Sequence, residues 1–289
     1  MISSIEYIYK KGSNVNNEDA YVIDKNRNIF AAIDGATGLG GLAGNVASTI
    51  VKEGIENSQE KSLKKIIASA NQSLAQETKR ITGMDVQDIP KYERSTCGLA
   101  AIQLDKSTLH YLSAGDCMIF IQYKTGAIRT LTYDHLDVLD AMSITTLHLL
   151  LNQRAIELET SLNTLPQDKL VELFSECRAE ITPLLRENRN KLNTTSGYGI
   201  IDGSSEALSY LESGSIPLIN VEKILLLSDG LKLHQKDCGW HKSAELAFEK
   251  GVSELFQTIQ EVEDKDPACF LYPRLKKHDD KTGILIQLL

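Results

Sequence analysis

No stretch of this chain is long and apolar enough to cross a membrane. Its longest uncharged apolar runs, such as LHLLL and ILLL, fall far short of the roughly 20 residues a spanning helix needs. The N-terminus, MISSIEYIYKKG, lacks the basic start and apolar core of a secretory signal, so a cytoplasmic location is expected. Basic runs are missing too. Acids outnumber bases 39 to 31, a net charge of −8, which argues against a nucleic-acid partner or an anionic membrane surface. The five cysteines (Cys97, Cys117, Cys177, Cys238, Cys269) are scattered and form no C-x-x-C. They read as buried reduced thiols of a cytosolic protein, not as zinc ligands or a disulfide framework. Internal repeats and low-complexity linkers are also absent. What remains is ordinary globular composition, 42% hydrophobic and 24% charged over 289 residues, enough chain for a large core.

The pattern is organised around Asn28-Ile29-Phe30-Ala31-Ala32-Ile33-Asp34-Gly35, an apolar run that stops at a carboxylate and opens into GATGLGGLAG. Such a run predicts a strand buried on both faces. Its rigid end holds the Asp in place, and the glycine lets backbone approach closely. The pattern recurs at Ile224-Leu225-Leu226-Leu227-Ser228-Asp229-Gly230. Either copy alone is ordinary Asp-Gly turn chemistry; two of them can aim two carboxylates at one point.

Strands are predicted at 4–10, 19–24 and 28–34, then helices at about 41–57 and 63–81 from apolar spacing near 3.6 residues. Four further strand-like runs, STCGLAAIQL, TLHYLSA, CMIFIQY and AIRTL, read as an antiparallel meander. Residues 134–190 are helix-periodic, a helical insert in which Pro183 ends or kinks a helix. The loop NTTSGYGIIDGSS leads through Pro217 to the Asp229 strand, a helical stretch covers about 242–262, and GILIQLL closes the chain as a strand. Together these predict one α+β domain over 1–289, with two helices after the first strands, two near the end, and sheet layers flanked by helices.

Acids gather at strand ends and tight turns: Glu18, Asp19, Asp34, Asp116, Asp229, Asp279 and Asp280. Two carboxylates about 4 Å apart repel by roughly 4 kcal/mol at an effective dielectric near 20, so a convergent set needs cations. Oxygen donors without a Cys or His shell select Mg²⁺ or Mn²⁺. Two such ions acidify a water and orient it against phosphorus. The competing reading is that each acid is a surface turn residue.

Six motifs, in order, resemble those of the metal-dependent Ser/Thr protein phosphatases of type 2C, the PPM family, in its bacterial form. They are NNEDA (16–20), AIDGATG (32–38), RSTCGLAAI (94–102), AGDCMIFI (114–121), LLLSDGL (225–231) and HDDKTGILIQL (278–288). The resemblance implies an αββα sandwich, two antiparallel sheets face to face with helices on both outer sides. It implies two Mn²⁺ or Mg²⁺ ions, with Asp34 bridging, Glu18 and the Gly35 carbonyl completing one site, and Asp229 and Asp279 holding the other. Asp19 corresponds to an acid that orients water, and Asp116 to one that supports the centre or a third ion. Hydrolysis of phosphoserine and phosphothreonine in proteins follows, without a phosphoenzyme, against an opposing Ser/Thr kinase. A poorly active binding or sensing module of the same fold, or a phosphohydrolase for another phosphoester, is the alternative.

Three positions depart from the family pattern. The phosphate-gripping Arg four residues before the motif Glu is Asn14, leaving Lys10 or Lys11 as substitutes. Ala36 follows Gly35 where some members place a His, and His278 is the nearest sequence candidate for a general acid, weighed against an ordinary surface His. Leu233 replaces an acid of the third-metal site, which predicts two well-occupied ions.

Overall fold

The computed structural model describes residues 2–234 and 239–289; Cys238 lies outside the described residues. The chain runs β1 (Ile2–Lys10), β2 (Ala20–Asp24), β3 (Ile29–Ala36), α1 (Gly44–Asn57), α2 (Leu63–Thr82), β4 (Thr96–Leu104), β5 (Thr108–Ala114), β6 (Met118–Tyr123) and β7 (Ile128–Thr130). It continues through α3 (Asp137–Glu157), α4 (Gln167–Glu180), α5 (Thr182–Arg189), β8 (Glu212–Pro217), β9 (Val221–Leu227), α6 (Gly239–Lys250), α7 (Val252–Lys265) and β10 (Lys281–Leu288). No helix among the described residues is long and apolar enough to cross a membrane.

Two five-stranded antiparallel sheets form, β1-β10-β9-β6-β7 and β2-β3-β4-β5-β8. Strand periodicity explains how they stack. Along β3, Phe30 and Ala32 join one apolar cluster with Ile119, Ile224 and Ile284 of the facing sheet. The alternate residues Ile29, Ala31 and Ile33 pack against Val51, Ile67 and Leu74 of α1 and α2. Likewise β9 sends Ile224 and Leu226 between the sheets, and Leu225 and Leu227 toward Phe248, Leu255 and Ile259 of α6 and α7. Both central strands are therefore apolar on both faces, and the layers are α1/α2, sheet, sheet, α6/α7. The expected αββα sandwich is the observed fold.

Several expectations need correction. The four strands after Pro90 do not form one meander: β4 pairs with β5 in one sheet, β6 with β7 in the other, and β5 does not pair with β6. The chain changes sheets at Gly115-Asp116-Cys117, with Gly115 at φ 74°, a left-handed turn that suits glycine. Residues 212–217, for which the sequence predicts no element, form edge strand β8 on β5. The helical stretch at 242–262 does hold the two late helices expected, which part at Gly251 with φ 92°. The first helix starts at Gly44, not Gly41. Pro183 acts as expected, standing in the first turn of a new helix, α5.

The insert helices pack on one another and on the 269–275 segment, through Leu147, Leu151, Phe174, Cys177, Cys269 and Leu275. Below them the 198–204 segment is fastened to the start of β4. Cys97 and Ile201 exchange backbone hydrogen bonds, and Arg94 Nη1 meets Asp202 Oδ2 at 2.9 Å with the side chains 8% and 0% exposed. Removing one partner strands a buried charge. Arg94→Ala or Asp202→Ala is therefore expected to cost about 3–5 kcal/mol. Urea denaturation checks it; a loss under about 1 kcal/mol, the range of exposed pairs, would contradict the buried-pair account.

Candidate metal centre

The acid-bearing strand ends meet at one edge of the sandwich. Pairing of Ala20 with Ile33 sets Asp19, just before β2, beside Asp34 near the end of β3. Asp34 pairs in turn with Gly98 of β4, and a Cβ built on Gly98 would lie 3.3 Å from Asp116 Oδ1. Across the sandwich, Leu227 pairs with Gly283, and the Ser228 amide donates to the Thr282 carbonyl at 2.8 Å. This brings Asp229 to the start of β10, beside Asp279. Gly35 and Gly230 are needed for these approaches. A Cβ on Gly35 would stand 2.1 Å from the Glu18 carbonyl oxygen, and one on Gly230 1.9 Å from that of Asp280.

The resulting acids crowd one another. Burial first, then the charges of Asp229, Asp19 and Asp116, push the Asp34 carboxyl well above its ordinary value; a carboxyl–carboxylate hydrogen bond with Asp229 adds to it. Asp229 is raised by burial and by Asp279, and Asp116 by burial, Asp229, Asp134 and Asp140. Asp19 is raised by burial and by Asp279 and Asp229, opposed by the Ser228 hydroxyl donating to Oδ2 at 2.9 Å. Cys117 Sγ lies within 4.8 Å of carboxylate oxygens of Asp34 and Asp116. Burial and those acids hold its thiol far up, so it stays a neutral neighbour of an oxygen donor set. Crowded carboxylates with no His among the clustered donors fit Mg²⁺ or Mn²⁺.

Glu18 stands apart from this group. It lines the same cavity of about 1900 Å³, but its Oε1 accepts from the Thr37 hydroxyl and from the Gly44 amide at 3.1 Å. It thus satisfies an orphan donor at the start of α1, leaving Oε2 with only Asn14 Nδ2 at 3.4 Å. The loop carrying it hangs on Asp280, 2% exposed, whose two oxygens accept from the Gly12 amide at 2.6 Å and the Glu18 amide at 2.8 Å.

Lys10 and Lys11, the substitute phosphate cations suggested by sequence, are both exposed and neither lines the cavity; Lys11 Nζ donates to the Val15 carbonyl. Asn14 does line it. His278 is neither a surface group nor a cavity group: its Nδ1 lies 2.8 Å from Glu263 Oε2, and its side chain is mostly buried. Glu263 also meets Lys281 Nζ at 2.8 Å and His234 Nε2 at 3.1 Å. Burial alone would raise this carboxyl; those partners bring it down to about 2.

Sequence reasoning missed two charged groups. Lys276, 42% exposed, has its Nζ 2.7 Å from Asp279 Oδ1, and the charges of Asp279, Asp229 and Asp34 hold it far up. Asp140, on α3 of the insert, is pushed up to about 7 by burial and by Asp229 and Asp134. The K-K-H-D-D run carried a signal for Lys276, a base three residues before a motif acid. Asp140 carried none.

No family model and no curated protein matches the chain. Solved structures do match. The serine/threonine phosphatase Stp1 from Staphylococcus aureus is 18% identical with a TM-score of 0.57, over 100% of this chain and 96% of that one. The Mycobacterium tuberculosis serine/threonine phosphatase PstP/Ppp is 16% identical with a TM-score of 0.58, over 100% and 99%. The catalytic domain of PstP in complex with 2 manganese ions is also 16% identical, with a TM-score of 0.57 over 98% and 97%. At such identities the likeness is one of fold. The chain has the fold of these bacterial Ser/Thr phosphatases.

Proposed function

We propose that this chain is a member of the type 2C phosphatases its motifs resemble, and that it hydrolyses phosphoserine and phosphothreonine monoesters in proteins. The carrying observation is the convergence of Asp34, Asp116, Asp229 and Asp279 on one cavity of this fold, with Asp19 buried beside them and Lys276 the one cation bonded among them in the described residues. Asp34, Asp229 and Asp279 would hold two Mn²⁺ or Mg²⁺ ions, with Glu18 and the Gly35 carbonyl at one side. Bound there, the ions supply Lewis-acid charge and lower the pKa of a water. The chain's own residues do the rest. Burial and neighbouring acids raise the carboxyls of Asp34 and Asp229, so metal binding competes with protons there. Asp19 keeps a carboxyl beside them, fixed by Ser228, that can take or return a proton. Asp280 fixes the Glu18 loop through two backbone amides.

The partner is a phosphorylated protein, product of a Ser/Thr kinase, met in the cytoplasm; the net charge of −8 disfavours nucleic acid and anionic membrane. The test is hydrolysis of p-nitrophenyl phosphate with Mn²⁺ and with chelator, followed by a phosphoserine peptide. Metal-dependent release from both supports the proposal; none from either overturns it. One observation favours a second reading, a binding or sensing module with little turnover: Lys276 already bonds Asp279, and Glu18 already serves α1. On that reading Mn²⁺ binds weakly and neither substrate turns over.

The insert is expected to govern substrate choice. On α3, Val138 and Ile156 are 63% and 74% exposed, apolar side chains that the insert's own core does not use. Val138→Ser/Ile156→Ser should lower kcat/KM on a phosphoprotein several-fold and leave p-nitrophenyl phosphate unchanged. Equal losses on both would make the insert scaffold only.

A further inference from the structure

Among the described residues, five lysines and arginines line the cavity: Arg178, Arg189, Lys232, Arg274 and Lys276. Three of them have carboxylate partners. Lys232 bonds Asp134 and Asp137, Arg274 bonds Asp266, and Lys276 bonds Asp279. Arg189, the last residue of α5, has no hydrogen-bond or ion-pair partner among the described residues, and its Nη1 is buried with no acceptor there. Arg178, on α4, donates only Nε, to the Leu275 carbonyl at 3.2 Å, and forms no ion pair among the described residues. A buried polar group is nearly always bonded, and a guanidinium left without an acceptor costs more than a neutral donor would. These two are also neighbours of like sign. Burial lowers the pKa of both, and the charge of Arg189 lowers that of Arg178 further. Among the described residues only the charges of Tyr198 and Glu18 act against that cost at Arg189, and neither bonds it; an incoming anion would.

We propose that Arg189, backed by Arg178, is the phosphate-recognising cation of this cavity, contributed by the helical insert. The proposal rests on the phosphatase reading and deepens it. At the position where the resemblance calls for an Arg stands Asn14, on the same cavity wall as Glu18, whose charge acts on Arg189. A guanidinium offers a planar fork that matches phosphate oxygens, which a lysine on the outer surface does not. The insert therefore carries part of the substrate site and is more than a lid over it. Recognition of the phosphoryl group is moved from the β1–β2 loop to α5. The ligand class is a phosphomonoester dianion, with orthophosphate as the product that leaves the same group.

The test measures two quantities on Arg189→Ala, Arg189→Gln and Arg178→Ala in constant Mn²⁺. These are the dissociation constant of orthophosphate by titration calorimetry, and KM and kcat for p-nitrophenyl phosphate. Bonds to a charged group imply that removing Arg189 weakens orthophosphate and raises KM by about tenfold or more, with kcat changed much less. Arg178→Ala should show a smaller rise. Arg189→Gln keeps most of the packing volume, so it serves if the alanine variant misfolds. Asn14→Arg in the Arg189→Gln background should recover orthophosphate affinity, which a merely structural role for Arg189 would not allow. Unchanged orthophosphate affinity and KM in a folded, active Arg189→Gln protein overturns the proposal. A wild type that binds orthophosphate through Arg189 but hydrolyses nothing upholds this site and overturns the phosphatase reading instead.

Discussion

Asp34→Asn is expected to abolish hydrolysis while making the metal-free protein more stable. Asp34 stands where β3 ends, with Asp229, Asp19 and Asp116 all acting on its charge. If both ions depend on that carboxylate, its loss should exceed the roughly 10- to 100-fold effects of removing groups that only support a ligand; more than about a hundredfold in kcat is expected. The amide is nearly the same size, so the floor keeps its packing. Without metal the same change removes one of the repelling charges. At an effective dielectric near 20, two charges about 4 Å apart repel by roughly 4 kcal/mol, of which part is already relieved by protonation. Even 1 kcal/mol of relief raises the melting temperature by about 2–4 °C in a protein of this size class. The paired outcome is diagnostic: turnover falls and the melting temperature in chelator rises. A variant that keeps more than a small fraction of turnover in saturating Mn²⁺ would remove Asp34 from the centre. One that is inactive and also less stable would make Asp34 a structural residue.

How much of this was legible in the chain depends on where each residue takes its meaning. The acids at strand ends were readable because the apolar runs before them fix strand, end and direction together, as at Ile33-Asp34 and Leu227-Ser228-Asp229. The sheet assignment of β6 was not, since an apolar run does not say which neighbour it pairs with; a left-handed Gly115 sends the chain across the sandwich. Strand β8 escaped because ESGSIP is a short edge of small polar residues with only Ile216 buried. Arg178, Arg189 and Asp140 sit on helices where a charge every few residues is the normal solvated face. Their role comes from what is packed opposite, through contacts far apart in sequence. Lys276 is intermediate, near its acid in sequence but without a pattern that separates it from any surface lysine.

Metal should stabilise the fold, and more so as pH rises. In the folded state Asp34, Asp19, Asp116 and Asp229 all titrate above the ordinary carboxyl value of 3.8. Above 3.8 the unfolded chain has released protons that the folded chain still holds, so metal-free stability falls with rising pH until the raised values are passed. Glu263 runs the other way. Its contribution is complete above the ordinary 4.5 and is lost only as pH falls toward about 2, so it does not disturb a comparison between pH 5 and 8. Mn²⁺ binds the deprotonated acids and removes their mutual repulsion, hence its effect grows over the same interval. A ligand at a hundredfold excess over its Kd, binding only the native state, adds about 2.7 kcal/mol. For a chain of this size that is about 5–10 °C at pH 8, with a smaller shift at pH 5. Scanning calorimetry with Mn²⁺ and with chelator at both pH values measures it. Glu18→Gln/Asp34→Asn/Asp229→Asn should show no Mn²⁺ shift at either pH. Coincident wild-type melting curves at pH 8 would return these acids to the status of turn residues. They would also leave Lys276 as the cation that the cluster was built to hold.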